Sequence, residues 1–351
     1  MKDKIYRRNF LKNSLGILAA GSGASLLTGY EPARAIVQER TQPATTQSRP
    51  QAGSNVAGNA ALFAGFKPMS IKTTGATINA VVGGSGPPLL LLHGHPQTHV
   101  MWHKVAPRLA EHFSVVAADL RGYGDSSKPP DGVNHAGYSK RAMAQDQVEV
   151  MKHLGHEKFA VAGHDRGARV ATRMALDYPD QITKLAVFDN LPTRTMYSKV
   201  TKDWATAYYH WFFLVQPSPF PETLIQNSVE VYLHHSFDRS PKGTFTDAAF
   251  AEYLRCFRDP GVIHASCEDY RAGAGVDLEN DEADWNKKIT CPVLALWAQK
   301  GNLPRFYGNV LDGWKEKANE VKGKALPSGH FLAEEVPDQV FAELQAFFSA
   351  A

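Results

Sequence analysis

The stretch Phe159–Thr172, FAVAGHDRGARVAT, constrains this chain more than any other. An apolar run, Phe159 to Ala162, feeds through Gly163-His164-Asp165-Arg166-Gly167 into helix formers. This has the form of the G-x-S-x-G elbow, a strained strand-to-helix turn that lifts a reacting side chain above a sheet, with Asp165 in the serine's place. Glycines on either side leave room for the backbone, and the start of the helix directs N–H groups at an anion forming beside Asp165. The reacting residue is then a carboxylate. An aspartate at an ordinary helix N-cap looks the same in isolation, so the rest of the chain has to decide.

Runs like Phe159–Ala162 recur. Leu89–Leu92, Val115–Ala118, Leu185–Phe188 and Val293–Trp297 are apolar without alternation, as strands buried on both faces of a parallel sheet are. Helical patterns lie between them; the clearest follows Ser139, an N-cap residue, and ends at Gly155, a C′ glycine. Met69–Val82, broken at Gly75, reads as an antiparallel hairpin at a sheet edge. The alternation predicts an α/β fold with a doubly wound, mostly parallel sheet. It stops after Pro192. Residues 194–284 hold the aromatic run Tyr208–Phe213, a proline-broken turn and short helical patterns without a strand run, and are expected to form a helical cap over the carboxyl ends of the strands. The core is then 67–193 and 285–351.

With 351 residues, 43% of them hydrophobic, the chain has room for such a core and its insertion. A balance of 38 basic and 35 acidic residues, without a block of either, points away from nucleic acid and toward a small-molecule partner. Cys256, Cys267 and Cys291 offer neither a disulfide framework nor a zinc spacing; a single Cys256–Cys267 bridge and buried free thiols both stay open. Arg7-Arg8, an apolar run from Leu15 to Leu27 and Ala33-Arg34-Ala35 resemble a twin-arginine signal over 1–35, removed after Ala35. Export machinery is then a partner of the precursor, and the mature protein is periplasmic or secreted. A membrane anchor is the alternative, although the run is short and loosened by Gly16, Gly21 and Gly23. Residues 36–66, rich in Gln, Thr, Ala, Gly and Ser, read as a flexible linker.

Several further segments carry chemistry. His93-Gly94-His95-Pro96 ends the first buried strand, where an α/β hydrolase supplies one oxyanion-hole N–H, the other coming from the residue after the nucleophile; here these are the amides of His95 and Arg166. Arg121 and Asp125, in the glycine-rich loop Asp119–Ser126, read as turn residues. Among 14 histidines, His330 in Gly329-His330-Phe331 has the place in chain order, after nucleophile and acid, that this fold gives its base. The acid usually found after the strand ending at Trp297 is missing from Ala298–Asn302. Asp189, after the preceding strand, is its natural substitute, with a plain turn aspartate as the alternative.

From about Pro87 to Phe347 the chain resembles the fluoroacetate (haloacetate) dehalogenases, α/β hydrolases with an aspartate nucleophile. The segments that carry the likeness are HGHPQTHVMWHKVAP, ADLRGYGDSSKP, GHDRGARVATRMALDYP, AYYHWFFLVQPSPFPE, IHASCEDYRAG and GHF. The resemblance implies Asp165 as nucleophile, Asp189 and His330 completing a triad, and Arg166 and Arg169 as clamps for a substrate carboxylate. It implies His210, Trp211 and Tyr270 as halide donors, and neither metal nor organic cofactor. Arg166 and Arg169 are three apart at a helix start, so both can face one site. Related haloalkane dehalogenases and epoxide hydrolases carry tryptophan directly after the aspartate, and Arg166 in its place points to an anionic 2-halo acid. Two places depart from the pattern: His95 stands where the family usually has phenylalanine, and Tyr232–Phe237 replaces a segment that often includes a pocket tryptophan. An epoxide hydrolase and a non-catalytic periplasmic carboxylate-binding protein are the rival readings. The oligomeric state, a homodimer among the options, is left open.

Overall fold

A computed structural model describes residues 62–350. The twin-arginine-type segment 1–35 and the linker up to residue 61 lie outside the described residues. The end of the segment read as linker is packed: Phe63 is buried, against Phe66 and the His99 ring.

Eight strands form one sheet: β1 (Lys67–Lys72), β2 (Thr77–Gly83), β3 (Pro88–Leu92), β4 (Ser114–Ala118), β5 (Phe159–His164), β6 (Ile182–Phe188), β7 (Val293–Ala298) and β8 (Val321–Leu326). Their order is β1-β2-β4-β3-β5-β6-β7-β8. The edge hairpin pairs antiparallel, β2 is antiparallel to β4, and every later pairing is parallel. The unalternating apolar runs are explained by burial. Leu89 to Leu92 and Val115 to Ala118 are inaccessible to solvent, so no position on either face tolerates a polar side chain. The chain steps outward from β3 to β4, then returns to β5 on the other side. That reversal opens a crevice at the carboxyl ends of β3 and β5, where open α/β sheets bind ligands.

Local signals act as their chemistry demands. Ser139 caps the helix Lys140–His153 by accepting from Ala142 N, and Gly155 leaves it at φ +84°. Arg121 is tied to Asp146 and to Gly137 O at 2.7 Å, and Asp119 accepts from His99 N at 2.8 Å, so this loop is structural. Cys256 and Cys267 are buried free thiols and Cys291 is half-buried. Between β6 and β7 the chain forms only helices. No helix among the described residues is long and apolar enough to cross a membrane.

A buried polar cluster joins this helical layer to the sheet domain. Glu334, just after His330, accepts from Tyr253 Oη of the helix Asp247–Phe257 at 3.0 Å and from the Gln97 amide of the loop after β3. Burial, only partly opposed by these donors, pushes its carboxyl from 4.5 up to about 8. The folded protein therefore holds a proton between those values that the unfolded chain releases, so this group makes stability fall as pH rises from about 4.5 to about 8. Glu334→Gln, which keeps the neutral shape, should gain stability relative to the parent between about pH 5 and about pH 9 in thermal melts. A constant gap would show that Glu334 is ionised throughout.

Candidate active site

β5 ends in the turn that the sequence marks. Asp165 sits at φ +47°, ψ −109°, a conformation costing about 1–3 kcal/mol for a residue with a Cβ. Two glycines make the turn: a Cβ on Gly163 would lie 2.5 Å from Gly167 O, and one on Gly167 would lie 2.3 Å from His93 O. The Asn190 side-chain amide supports the turn by donating to Asp165 O at 2.9 Å. Asp165 thus stands at the head of the helix Arg166–Asp177, above the sheet's carboxyl edge.

Its carboxylate is held at one end. The His95 N–H donates to Asp165 Oδ1 at 3.1 Å, as expected of an oxyanion-hole amide. Burial raises the Asp165 carboxyl, but His330, His164, Arg166 and Arg169 outweigh it and hold the group well below the usual carboxylate range. It is an anion at any working pH. His330 Nδ1 lies 2.6 Å from Asp189 Oδ2, and the second oxygen, Oδ1, accepts from the Ala298 N–H at 3.0 Å. The position after β7 that lacks an acid therefore contributes a backbone donor instead. Asp189 is itself held at φ +43°. Burial lowers the His330 pKa, whereas its bond to Asp189 and the charges of Asp189 and Asp165 raise it by more. His164, kept neutral at a pKa of about 4 chiefly by burial, uses Nε2–H to donate to His330 O at 2.8 Å and packs its ring on that of His330.

A cavity of about 240 Å³ opens over these groups, and Asp165, Asp189, His330, His95, Arg169, His210, Trp211 and Tyr270 all line it. His210 and Trp211 come from the short helix His210–Phe213, Tyr270 from the helix Pro260–Ala274. Burial, then His95, keeps His210 neutral at a pKa of about 3, and burial and the Asp165 charge keep the Tyr270 hydroxyl protonated. Three uncharged side chains that carry N–H or O–H groups thus line the cavity that holds the Asp165 anion.

The two arginines differ. The Arg166 side chain turns away to Asp269, with Nε to Oδ2 at 2.9 Å and Nη2 to Oδ1 at 2.7 Å, while Tyr270 covers it at 4.2 Å. Lys140 and the Tyr123 hydroxyl also bind Asp269. The Arg166 charge is therefore already balanced, and the guanidinium forms the floor under Tyr270. Arg169 makes no ion pair among the described residues. It bonds Leu191 O at 3.2 Å and Thr193 Oγ1 at 2.7 Å, stands 4.8 Å from the Trp211 ring, and leaves Nε buried without a partner. Burial and repulsion from Arg166 pull its pKa below the ordinary value. Of the two clamps expected from the sequence, Arg169 is the one without an ion pair, its charge offset only at a distance by Asp165 and Asp281. Asp269, Lys140 and Asn190 were missed by sequence reasoning; the one available signal was that Asp269 directly precedes Tyr270.

A buried carboxylate on a glycine-flanked elbow, an amide at its oxygen and a histidine–carboxylate pair form a hydrolytic apparatus. A family model described as alpha/beta hydrolase fold matches residues 87–335. The chain belongs to the alpha/beta hydrolase family. The hydrolase is 43% identical to fluoroacetate dehalogenase of Burkholderia sp, over 83% of its own length and 96% of that protein's. The likeness to haloacetate dehalogenases read from motifs therefore extends over 293 aligned residues. It is also 37% identical to soluble epoxide hydrolase of Corynebacterium sp. (strain C12), over 78% of the hydrolase and 94% of the relative. A solved structure from Nostoc sp PCC 7120, proposed to be an alpha/beta hydrolase, superposes with a TM-score of 0.81 at 55% identity, covering 82% of the hydrolase and 100% of that chain.

Proposed function

We propose that the hydrolase removes halide from haloacetates and related 2-halo acids through a covalent ester on Asp165. The observation that carries this reading is the pairing, in one cavity, of the Asp165 anion with the Arg169 guanidinium, which makes no ion pair among the described residues. A neutral substrate would leave that charge buried and unpaired, at a cost of several kcal/mol, whereas a substrate carboxylate satisfies it.

Two steps make up this reaction. Oδ1 of Asp165 is engaged by the His95 amide, so the other oxygen attacks the halogen-bearing carbon from the side opposite the halide. The departing halide gains charge, and His210, Trp211 and Tyr270 offer it hydrogen bonds. Oδ1 becomes the ester carbonyl. His330, with Nδ1–H given to Asp189, has Nε2 free to take a proton from water, which attacks that carbonyl; the oxyanion forms where the His95 and Arg166 amides point. Arg166 contributes here through its backbone and its packing under Tyr270, leaving the carboxylate to Arg169.

An epoxide would also form an aspartyl ester and could take its proton from Tyr270, but it would leave Arg169 unpaired. Halide release from fluoroacetate and chloroacetate, assayed beside diol formation from a simple epoxide, tests the proposal. Diol without halide would reverse it. Arg169→Lys keeps the charge but not the planar fork. Losing one charge-assisted contact of about 1.5–3 kcal/mol should lower kcat/KM on haloacetates roughly 10- to 150-fold. Unchanged kcat/KM would remove Arg169 from the substrate site.

We further propose that residues 1–35 direct export by the twin-arginine route, supported by the paired Arg7-Arg8 and the Ala33-Arg34-Ala35 site. Lysine at both positions should abolish export, and the exported protein should begin at Ile36. Soluble periplasmic protein that still starts at Met1 would overturn this.

A further inference from the structure

The cavity is larger than a haloacetate needs. About 240 Å³ is available, and a water molecule's share of liquid is about 30 Å³, so a haloacetate leaves space for several waters. The lining is also unevenly charged. Its carboxylates are Asp165, which reacts, and Asp189, which is engaged by His330 and the Ala298 N–H. Three cationic side chains face the same space: Arg169, Arg239 and Lys300. Arg169 is buried, whereas Arg239 and Lys300 are exposed and so stand at the mouth. They arrive from different parts of the fold, Arg239 just after the helix Val229–Phe237 and Lys300 in the loop after β7. Neither forms an ion pair among the described residues.

We infer that the cavity takes 2-halo dicarboxylates. The carboxylate next to the carbon–halogen bond lies against Arg169, and a second carboxylate, farther along the chain, lies between Arg239 and Lys300. This inference rests on the dehalogenase reading above. The carbon–halogen bond breaks, a carbon–oxygen bond forms with oxygen that water restores, and a 2-hydroxy dicarboxylate, a halide ion and a proton leave. Attraction of anions toward the mouth is a different effect: it acts through encounter rate, more strongly on a dianion than on a monoanion whatever the chain length, and falls away with salt. A bound second carboxylate instead prefers one chain length and keeps that preference at moderate salt.

The test compares 2-chlorosuccinate, 2-chloroglutarate and 2-chloroadipate with 2-chloro monocarboxylates of equal chain length, using the full chain at moderate salt. At least one dicarboxylate should exceed its matched monocarboxylate about tenfold or more in kcat/KM. The double variant Arg239→Gln, Lys300→Gln should bring that ratio toward one. Equal or better turnover of the monocarboxylate at every length, or a double variant that lowers both members of each pair alike, would overturn the inference. Calorimetry with unhalogenated succinate, glutarate and adipate against the matched monocarboxylates measures the second contact without turnover. Tighter binding of a dicarboxylate, lost in the double variant, supports it, and equal binding overturns it. Absence of halide release from every substrate would instead sink the dehalogenase reading while the binding comparison still decides the mouth site.

Discussion

His330→Gln should give an enzyme that releases at most one halide per site and then stops. Glutamine keeps a polar side chain beside Asp189 but has no lone pair basic enough to take a proton from water. Attack by Asp165 needs no base, so the first step proceeds and the ester accumulates. Mass spectrometry of the peptide carrying Asp165 should show it heavier by the carboxyalkyl group of the substrate. Steady turnover should fall about 10²- to 10⁴-fold, the usual contribution of a positioned general base. Halide release that continues at the parent rate, or a peptide without adduct, would mean that His330 does not serve ester hydrolysis.

Asp165→Ala should cost more, about 10⁴-fold or beyond in kcat, because the atom that forms the intermediate is gone and neighbouring groups cannot act without it. Loss of activity alone does not distinguish a nucleophile from a base, so the parent enzyme supplies the decisive measurement. In a single turnover in oxygen-18 water with enzyme in excess, the product oxygen should come from the Asp165 carboxylate, and solvent oxygen should enter the aspartate as the ester breaks. The hydroxyacid should be unlabelled and the Asp165 peptide labelled. Label in the first-turnover hydroxyacid, with none in the peptide, would make water the attacking species and Asp165 its base.

The parts of this molecule that were legible in the sequence are those governed by short range or by burial on all sides. Leu89–Leu92 and Val115–Ala118 could be read as central strands because a strand covered on both faces is uniformly apolar. The elbow could be read because Gly163 and Gly167 answer to contacts within the turn and with the adjoining strand. His330 and Asp189 were singled out from chain order, and they lie 2.6 Å apart. Pairings across the cap were not legible. Arg166 and Asp269 are far apart in sequence, and only docking of the helix Pro260–Ala274 brings them together, so an arginine with an ion-pair partner and one without looked alike. The His95–Tyr232 contact at 3.0 Å is of the same kind: the two departures from the family pattern meet each other. The far end of the linker was misplaced because Leu62, Phe63 and Phe66 are too few to show a period, yet Phe63 has a hydrophobic site to fill.

Because the carboxylate that meets His330 stands after β6, the segment after β7 need not supply one. There Ala298 contributes only a main-chain N–H, which any residue except proline can supply, and Gln299–Asn302 need only reach the mouth of the cavity. Changes of length or charge in this segment then leave the Asp189–His330 contact in place. Laboratory evolution for a new acid substrate has its natural starting point in those four positions, where variation touches neither Asp165 nor His330.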